Sequence, residues 1–226
     1  MSPLATQVPR EFRGLLIGAS GSGKTRFVGK LLQNKADIFP VTYKKFLYCS
    51  PHIGGGTISS ARDVEYREKL EEWAAPTEIS FHNYIPSEEE VLDVSDSVDG
   101  PILLIIDDYS LELFQTDLVY QLFTRMSTHK MVNSLVSLHV GCASKTSGKW
   151  YQAVTQNCNY LVLFRNIANR ASTGELSKRI FPYADNFLQR CLTKATEYLG
   201  SYGYICVDAS LTNQLNNRFG VRTNIF

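Results

Sequence analysis

A chain of 226 residues with 44% hydrophobic and 20% charged side chains can bury one sizeable core, and domain-size averages favour one compact domain over two. No apolar run reaches the roughly 18 to 20 residues a membrane span needs, and Met1 to Arg10 lacks the apolar core of a secretory signal, so an intracellular, soluble protein is expected. The five cysteines, Cys49, Cys142, Cys158, Cys191 and Cys206, form no C-x-x-C pair and suit reduced core thiols better than disulfides or zinc; neither is expected.

The net charge of +1 is unevenly spread. Up to residue 144 there are 13 Lys/Arg against 18 Asp/Glu, a balance of −5; from Lys145 onward there are 10 against 4, a balance of +6. A basic C-terminal part suits a polyanion such as nucleic acid, and ordinary charge scatter on a solvated surface explains it equally well.

Strands alternate with helical stretches, the pattern of a mostly parallel sheet covered by helices. Phe12 to Ile17 reads as the first strand and Lys24 to Gln33 as the helix after it. A strand is expected at Lys45 to Cys49, a helix at Asp63 to Trp73 and a short strand at Glu78 to His82. Ile102 to Ile106 is an unbroken aliphatic run, typical of a strand buried on both faces. A helix over Leu111 to His129 follows, then strands at Ser134 to Val140 and Tyr160 to Phe164. Helical stretches at Gly174 to Ile180 and Asp185 to Tyr198 lead to a closing strand pair, Gly203 to Val207 and Arg218 to Thr223. Ser50 to Ser60, with three consecutive glycines, and the acidic stretch Ser87 to Gly100 read as floppy linkers.

Between the first strand and helix lies Gly18-Ala19-Ser20-Gly21-Ser22-Gly23-Lys24-Thr25, which fits the phosphate-loop pattern G-x-x-x-x-G-K-[ST]. Glycines at this spacing let successive backbone N–H groups wrap phosphates at the positive end of the helix, with Lys24 on the β/γ-phosphates and Thr25 on Mg²⁺. ATP and Mg²⁺ are the expected cofactors. The second element such a site needs is an acid at the end of a neighbouring strand. Ile102 to Ile106 runs into Asp107 and Asp108, placing Asp107 on the metal and Asp108 where it orients or deprotonates the attacking water. Asn34-Lys35-Ala36-Asp37 matches the guanine-reading N-K-x-D, but it ends the very helix that begins on the phosphate loop, so it reads as a helix terminus with Asn34 near the C-cap.

Taken with Leu122-Phe123-Thr124, Tyr160 to Asn166 and the ending from Tyr202-Gly203-Tyr204-Ile205 through Arg222-Thr223-Asn224-Ile225-Phe226, the phosphate loop and Ile102 to Asp108 resemble viral genome-packaging ATPases of the FtsK–HerA superfamily, in the branch found in poxvirus-type, virophage and Polinton-like elements. The resemblance spans nearly the whole chain. It implies a P-loop NTPase fold of the ASCE/RecA-like type: a mostly parallel central sheet with helices on both faces and a C-terminal antiparallel strand pair. It further implies an oligomeric ring that uses ATP to translocate double-stranded DNA into a preformed capsid, with each nucleotide between two subunits. Capsid or portal proteins would be partners, and the host cell or virion the location. Members of that group usually carry a glutamine at the end of the strand after the acid pair, commonly as T-Q-N. Here that strand is expected to run into Val140-Gly141-Cys142-Ala143-Ser144, which has none, so hydrolysis by a lone subunit is expected to be slow.

A ring ATPase needs a cation from the neighbouring subunit on the transferring phosphoryl group, and Arg125, Arg165 and Arg170 are the candidates, each weighed against an ordinary surface arginine. His129 reads as a helix-end cation, and Trp73 and Trp150 as core residues rather than base-stacking ones. Lys145 to Lys149 is a short basic loop placed to touch phosphates in a channel, or simply a solvated loop. Two competing readings stay open: a nucleoside or nucleotide kinase, and a nucleotide-gated assembly subunit with little turnover.

Overall fold

The structure is a computed structural model describing residues 8–53, 58, 60–109, 117–139, 154–165, 170–181, 183–184, 186–209 and 220–223. Eight strands form one sheet: β1 (Arg13–Ile17), β2 (Lys45–Cys49), β3 (Glu78–His82), β4 (Ile102–Ile106), β5 (Val132–Leu138), β6 (Tyr160–Phe164), β7 (Tyr204–Asp208) and β8 (Gly220–Arg222). Their spatial order is β3-β2-β4-β5-β1-β6-β7-β8. The ladders from β3 across to β6 are parallel, and those of β6 with β7 and β7 with β8 are antiparallel. One strand, β5, separates the strand that leads into the phosphate loop from the strand that leads into the acid pair. This is the RecA-like arrangement of a P-loop NTPase.

Helices cover both faces because the central strands place apolar side chains on both, β4 being apolar throughout, and alternate faces with period two. Leu15, Leu104, Ile106 and Val136 point to one side, where they meet α4 (Glu88–Ser97), α5 (Asp117–Gln121), α6 (Arg170–Ile180) and α7 (Phe187–Leu199) through Val91, Leu118, Leu176 and Leu188. Leu16, Leu103, Ile105 and Leu135 point to the other, against α1 (Lys24–Gln33), α2 (Lys35–Ile38) and α3 (Ala61–Ala74), through Phe27, Leu31, Ile38 and Leu70. Each fully buried aliphatic or aromatic side chain of this kind contributes about 1.5–3 kcal/mol.

Three expectations are corrected. The acidic stretch Ser87 to Gly100 is not a linker: Glu88–Ser97 is helical. Ser87 accepts from the Glu90 N–H at 3.2 Å while Glu90 accepts from the Ser87 N–H at 2.6 Å, a capping box, and three glutamates in the first turn complement the helix dipole. Val91 and Ser95 are buried along this helix, and the Ser95 hydroxyl donates to the Lys130 carbonyl at 2.9 Å.

The strand expected over Ser134 to Val140 instead spans Val132–Leu138. Asn133 is tolerated inside it because its amide is fully engaged: Oδ1 accepts from the Phe12 N–H at 3.1 Å, and Nδ2 donates to the Arg10 carbonyl at 2.9 Å and to Tyr43 Oη at 2.7 Å. The expected helix over Leu111 to His129 is described from Asp117 and is interrupted by a π turn at Leu122–Met126 before it ends at Ser127–His129. No helix among the described residues is long and apolar enough to cross a membrane.

Candidate nucleotide site

The parallel strands all end at one edge of the sheet, which gathers the segments that follow them. Ile17 is in register with Leu138 on one side and Leu163 on the other, and Ile106 with Val136 and Cys49. The phosphate loop, the acid pair, His139 and Arg165 therefore leave the sheet at the same edge.

The loop leaves β1 with the Gly18 N–H donating to the Leu138 carbonyl at 3.1 Å. A Cβ at Gly18 would lie 2.6 Å from both Phe164 Cβ and Ser22 Oγ, so only glycine fits there. Gly21 and Gly23 take φ of 71° and 102°, left-handed backbone that glycine adopts freely. Gly23 caps α1, whose first turn carries no acidic residue, leaving its unpaired N–H groups and positive end available to an anion.

Lys24 is 4% exposed, and its Nζ donates to the Gly18 and Ala19 carbonyls at 2.9 Å each. Burial lowers its pKa, opposed by the negative charges of Asp107 and Asp108.

Asp107 continues the alternation of Leu103 and Ile105 and so belongs to the face of the sheet that α1 covers. It is 1% exposed, and Oδ2 accepts from Tyr48 Oη at 2.8 Å. Burial first, and the Asp107 carboxylate second, raise the Tyr48 pKa well above its usual value, so this phenol remains a donor. Asp107 Oδ1 and Ser22 Oγ are buried with no hydrogen-bond partner among the described residues. A buried carboxylate oxygen without a partner fits a metal ligand. Exposed Thr25 lines the same cavity as Asp107, and a magnesium ion that keeps most of its waters needs only one or two such protein oxygens.

Asp108 adopts φ of 61°, the left-handed region that Asp tolerates better than most residues. Its Oδ1 lies 2.5 Å from His139 Nε2 and its Oδ2 3.0 Å from His52 Nε2. His139 Nδ1 in turn lies 3.4 Å from Lys24 Nζ. The sequence pattern does not single out Tyr48, His52 or His139. The one available signal was that Tyr48 and His139 are polar residues at or just past a strand end on the phosphate-loop edge.

The arginine candidates differ in placement. Arg165 is exposed immediately after β6, on the loop's edge of the sheet. Arg125, in the π turn, forms an exposed ion pair with Glu88 of α4. Arg170 begins α6; its side chain and that of His129 lie outside the described residues. So do Val140 to Ser144, Lys145 to Lys149 and Trp150.

Trp73 of α3 packs edge-on against Tyr66 at 6.4 Å, and a Cβ at Gly29 of α1 would lie 2.6 Å from its ring, so it seals the α1–α3 interface. The Asn34 to Asp37 segment is structural: Asn34 is the C-cap of α1, its Nδ2 donating to the Lys30 carbonyl at 2.8 Å. Lys35 Nζ donates to the carbonyls of Trp73 and Ala75 at 2.6 and 2.8 Å.

Among the described residues, cavities lie on either side of the loop. One of about 840 Å³ is lined by Thr25, Tyr48, His52, Tyr66, Asp107 and Asp108, among others. The other, about 170 Å³, lies against Gly23 between Arg26, Phe164, Tyr202 and Tyr204, with the Arg26 guanidinium 5.8 Å from the Tyr202 ring centroid. Aromatic and guanidinium walls of this kind suit a planar base.

Neither a family model nor a curated protein matches the chain. Among solved structures it is similar to the genome packaging NTPase B204 from Sulfolobus turreted icosahedral virus 2, at 12% identity over 96% of this chain and 98% of that one. TM-scores are 0.48 for the complex with ATP-gammaS and 0.49 for that with AMPPCP. It is also similar to the cytoplasmic domain of the Thermomonospora curvata Type VII secretion ATPase EccC, with TM-score 0.39 and 15% identity, over 70% of this chain and 21% of that one.

Proposed function

We propose that the chain is an ATP-hydrolysing motor that moves double-stranded viral DNA into a preformed capsid, working as an oligomeric ring with capsid or portal proteins as partners. The observation that carries the ATPase reading is the meeting of Lys24, Asp107 and Asp108 at one sheet edge, with Asp107 Oδ1 buried and unpartnered among the described residues. The motor reading is supported by the sequence resemblance and by the basic balance beyond residue 144.

In this reading the loop N–H groups and Lys24 hold the β- and γ-phosphates, the Arg26 and Tyr202 cleft takes the base, and Thr25 and Asp107 hold Mg²⁺. When bound, Mg²⁺ neutralises charge on the phosphate oxygens. Tyr48 fixes the Asp107 carboxylate, and Asp108 takes a proton from the attacking water. Arg165, Arg170 or Arg125 of a neighbouring subunit supplies the cation for the transferring phosphoryl group, and placement favours Arg165.

The test is ATP turnover by purified protein with and without duplex DNA, beside Lys24→Ala. Turnover should rise with DNA, and Lys24→Ala should weaken nucleotide binding by about tenfold, because a charge-assisted contact to the phosphates is gone. Binding as tight as in the parent would refute the site. The cavity beside Asp108 favours one second reading, a kinase whose acceptor occupies it; phosphate appearing on a small nucleoside or nucleotide instead of in water would establish that reading.

Duplex binding should be independent of sequence, and its affinity should fall steeply with salt as phosphate contacts release counterions. Charge reversal at Lys145 and Lys149 should flatten the plot of log K against log salt. An unchanged slope would place the DNA surface elsewhere.

A further inference from the structure

We propose that His139 is the positioning residue of the hydrolytic carboxylate, tying Asp108 to Lys24 of the phosphate loop. This inference rests on the nucleotide site proposed above and adds a residue to it. β5 is hydrogen-bonded to both β1 and β4, so the residue that follows it stands between the loop and the acid pair. Leu138 accepts the Gly18 N–H through its carbonyl, which pins the strand end to the start of the loop, and His139 comes next.

Its two ring nitrogens face two different partners: Nε2 is 2.5 Å from Asp108 Oδ1, and Nδ1 is 3.4 Å from Lys24 Nζ. One tautomer satisfies both, with Nε2–H donating to the carboxylate and the Nδ1 lone pair facing the ammonium. His139 is 31% exposed at its side chain, whereas His52, on the other Asp108 oxygen, is 61% exposed and is the looser clamp.

A triphosphate in the loop draws Lys24 onto the β- and γ-oxygens. His139 Nδ1 then needs a new donor, and the water beside the γ-phosphate provides one. The ring thus responds to the third phosphate through one nitrogen while the other holds Asp108 in its left-handed conformation. A side-chain amide carries the same pairing of one donor with one acceptor, so glutamine is the conservative replacement and alanine the deletion.

The experiment compares wild type, His139→Ala and His139→Gln, each checked for a cooperative thermal transition. The readouts are kcat and KM for MgATP and equilibrium affinities for MgADP and a non-hydrolysable triphosphate. His139→Ala should lose about tenfold or more in kcat, and its preference for triphosphate over diphosphate should shrink, with KM for MgATP rising by no more than that loss of preference. His139→Gln should keep most of both.

An alanine variant with wild-type turnover and wild-type preference would overturn the proposal, as would a glutamine variant as impaired as alanine. Should His139→Ala fail to fold, His139→Leu against His139→Gln decides on the same readouts. A wild type that binds neither nucleotide overturns the site itself and this proposal with it. A wild type that binds both but does not turn over leaves the affinity ratio to decide on His139 alone.

Discussion

Asp108→Asn is expected to bind MgATP as the parent does and to lose turnover by about 10²-fold or more, the scale of a lost general base and close to 2.7 kcal/mol of barrier. Asparagine is the informative replacement because it tolerates the 61° φ of this position as aspartate does, whereas alanine would add backbone strain to the loss of charge. Asp107→Ala should do the opposite and lose the Mg²⁺-dependent part of nucleotide binding. It also removes the carboxylate that the buried Tyr48 hydroxyl donates to, which should lower stability by about 1 kcal/mol. Titrations with and without a chelator separate the two: wild type and Asp108→Asn should weaken when the metal is withdrawn, and Asp107→Ala should not. If both substitutions weaken binding alike, the division of roles between the two carboxylates is wrong.

The second large effect concerns assembly. Under the ring reading, total ATPase activity should rise faster than linearly with protein concentration, so that the rate per subunit climbs as the protein assembles, because a neighbouring arginine is worth roughly 10³ to 10⁵ in turnover. Arg165→Ala should remove most of that gain and, mixed into wild-type protein, should poison it in proportion to its share. Its placement just past β6 at the loop's edge makes it the first to test. Arg125, already paired with Glu88, and Arg170 are the comparisons. A rate per subunit flat across a range in which the protein assembles, and indifferent to all three substitutions, would mean that each subunit hydrolyses ATP alone.

Much of the sheet could be read directly. β2, β3, β4 and β6 fall on the expected residues because each is a short run of strand-forming residues with breaks on either side, and the phosphate loop fixed where β1 stops. What failed to show was whatever depends on distant partners. Asn133 looks like a loop residue until Phe12, Arg10 and Tyr43 are seen to engage its amide, and this moved the expected start of β5 inward. Val140 extends the apolar character past the true strand end at Leu138, which makes His139 read as a strand residue instead of the first residue beyond it. The Tyr48 contact to Asp107 requires knowing that β2 lies beside β4. The helix over Glu88–Ser97 was legible in principle, since Ser87-x-x-Glu90 is a capping signature, but acidic composition outweighed it.

The three glycines that shape the phosphate loop are held by different constraints, and this bears on how the sequence can drift. At Gly18 the obstacle is the Cβ of Phe164, an atom every residue except glycine carries. No change of side chain at position 164 alone would open that route, because Ser22 Oγ stands equally close, so the two sites cannot exchange volume. Gly21 has open space around it and is restrained only by its φ of 71°, a conformation asparagine also visits. Gly23 combines a φ of 102° with the Tyr202 ring 3.2 Å from where a Cβ would stand. Among descendants of this chain, variation in the loop should therefore enter at position 21 and leave 18 and 23 untouched, because a smaller residue at 202 would clear the Tyr202 contact but not the φ of 102°.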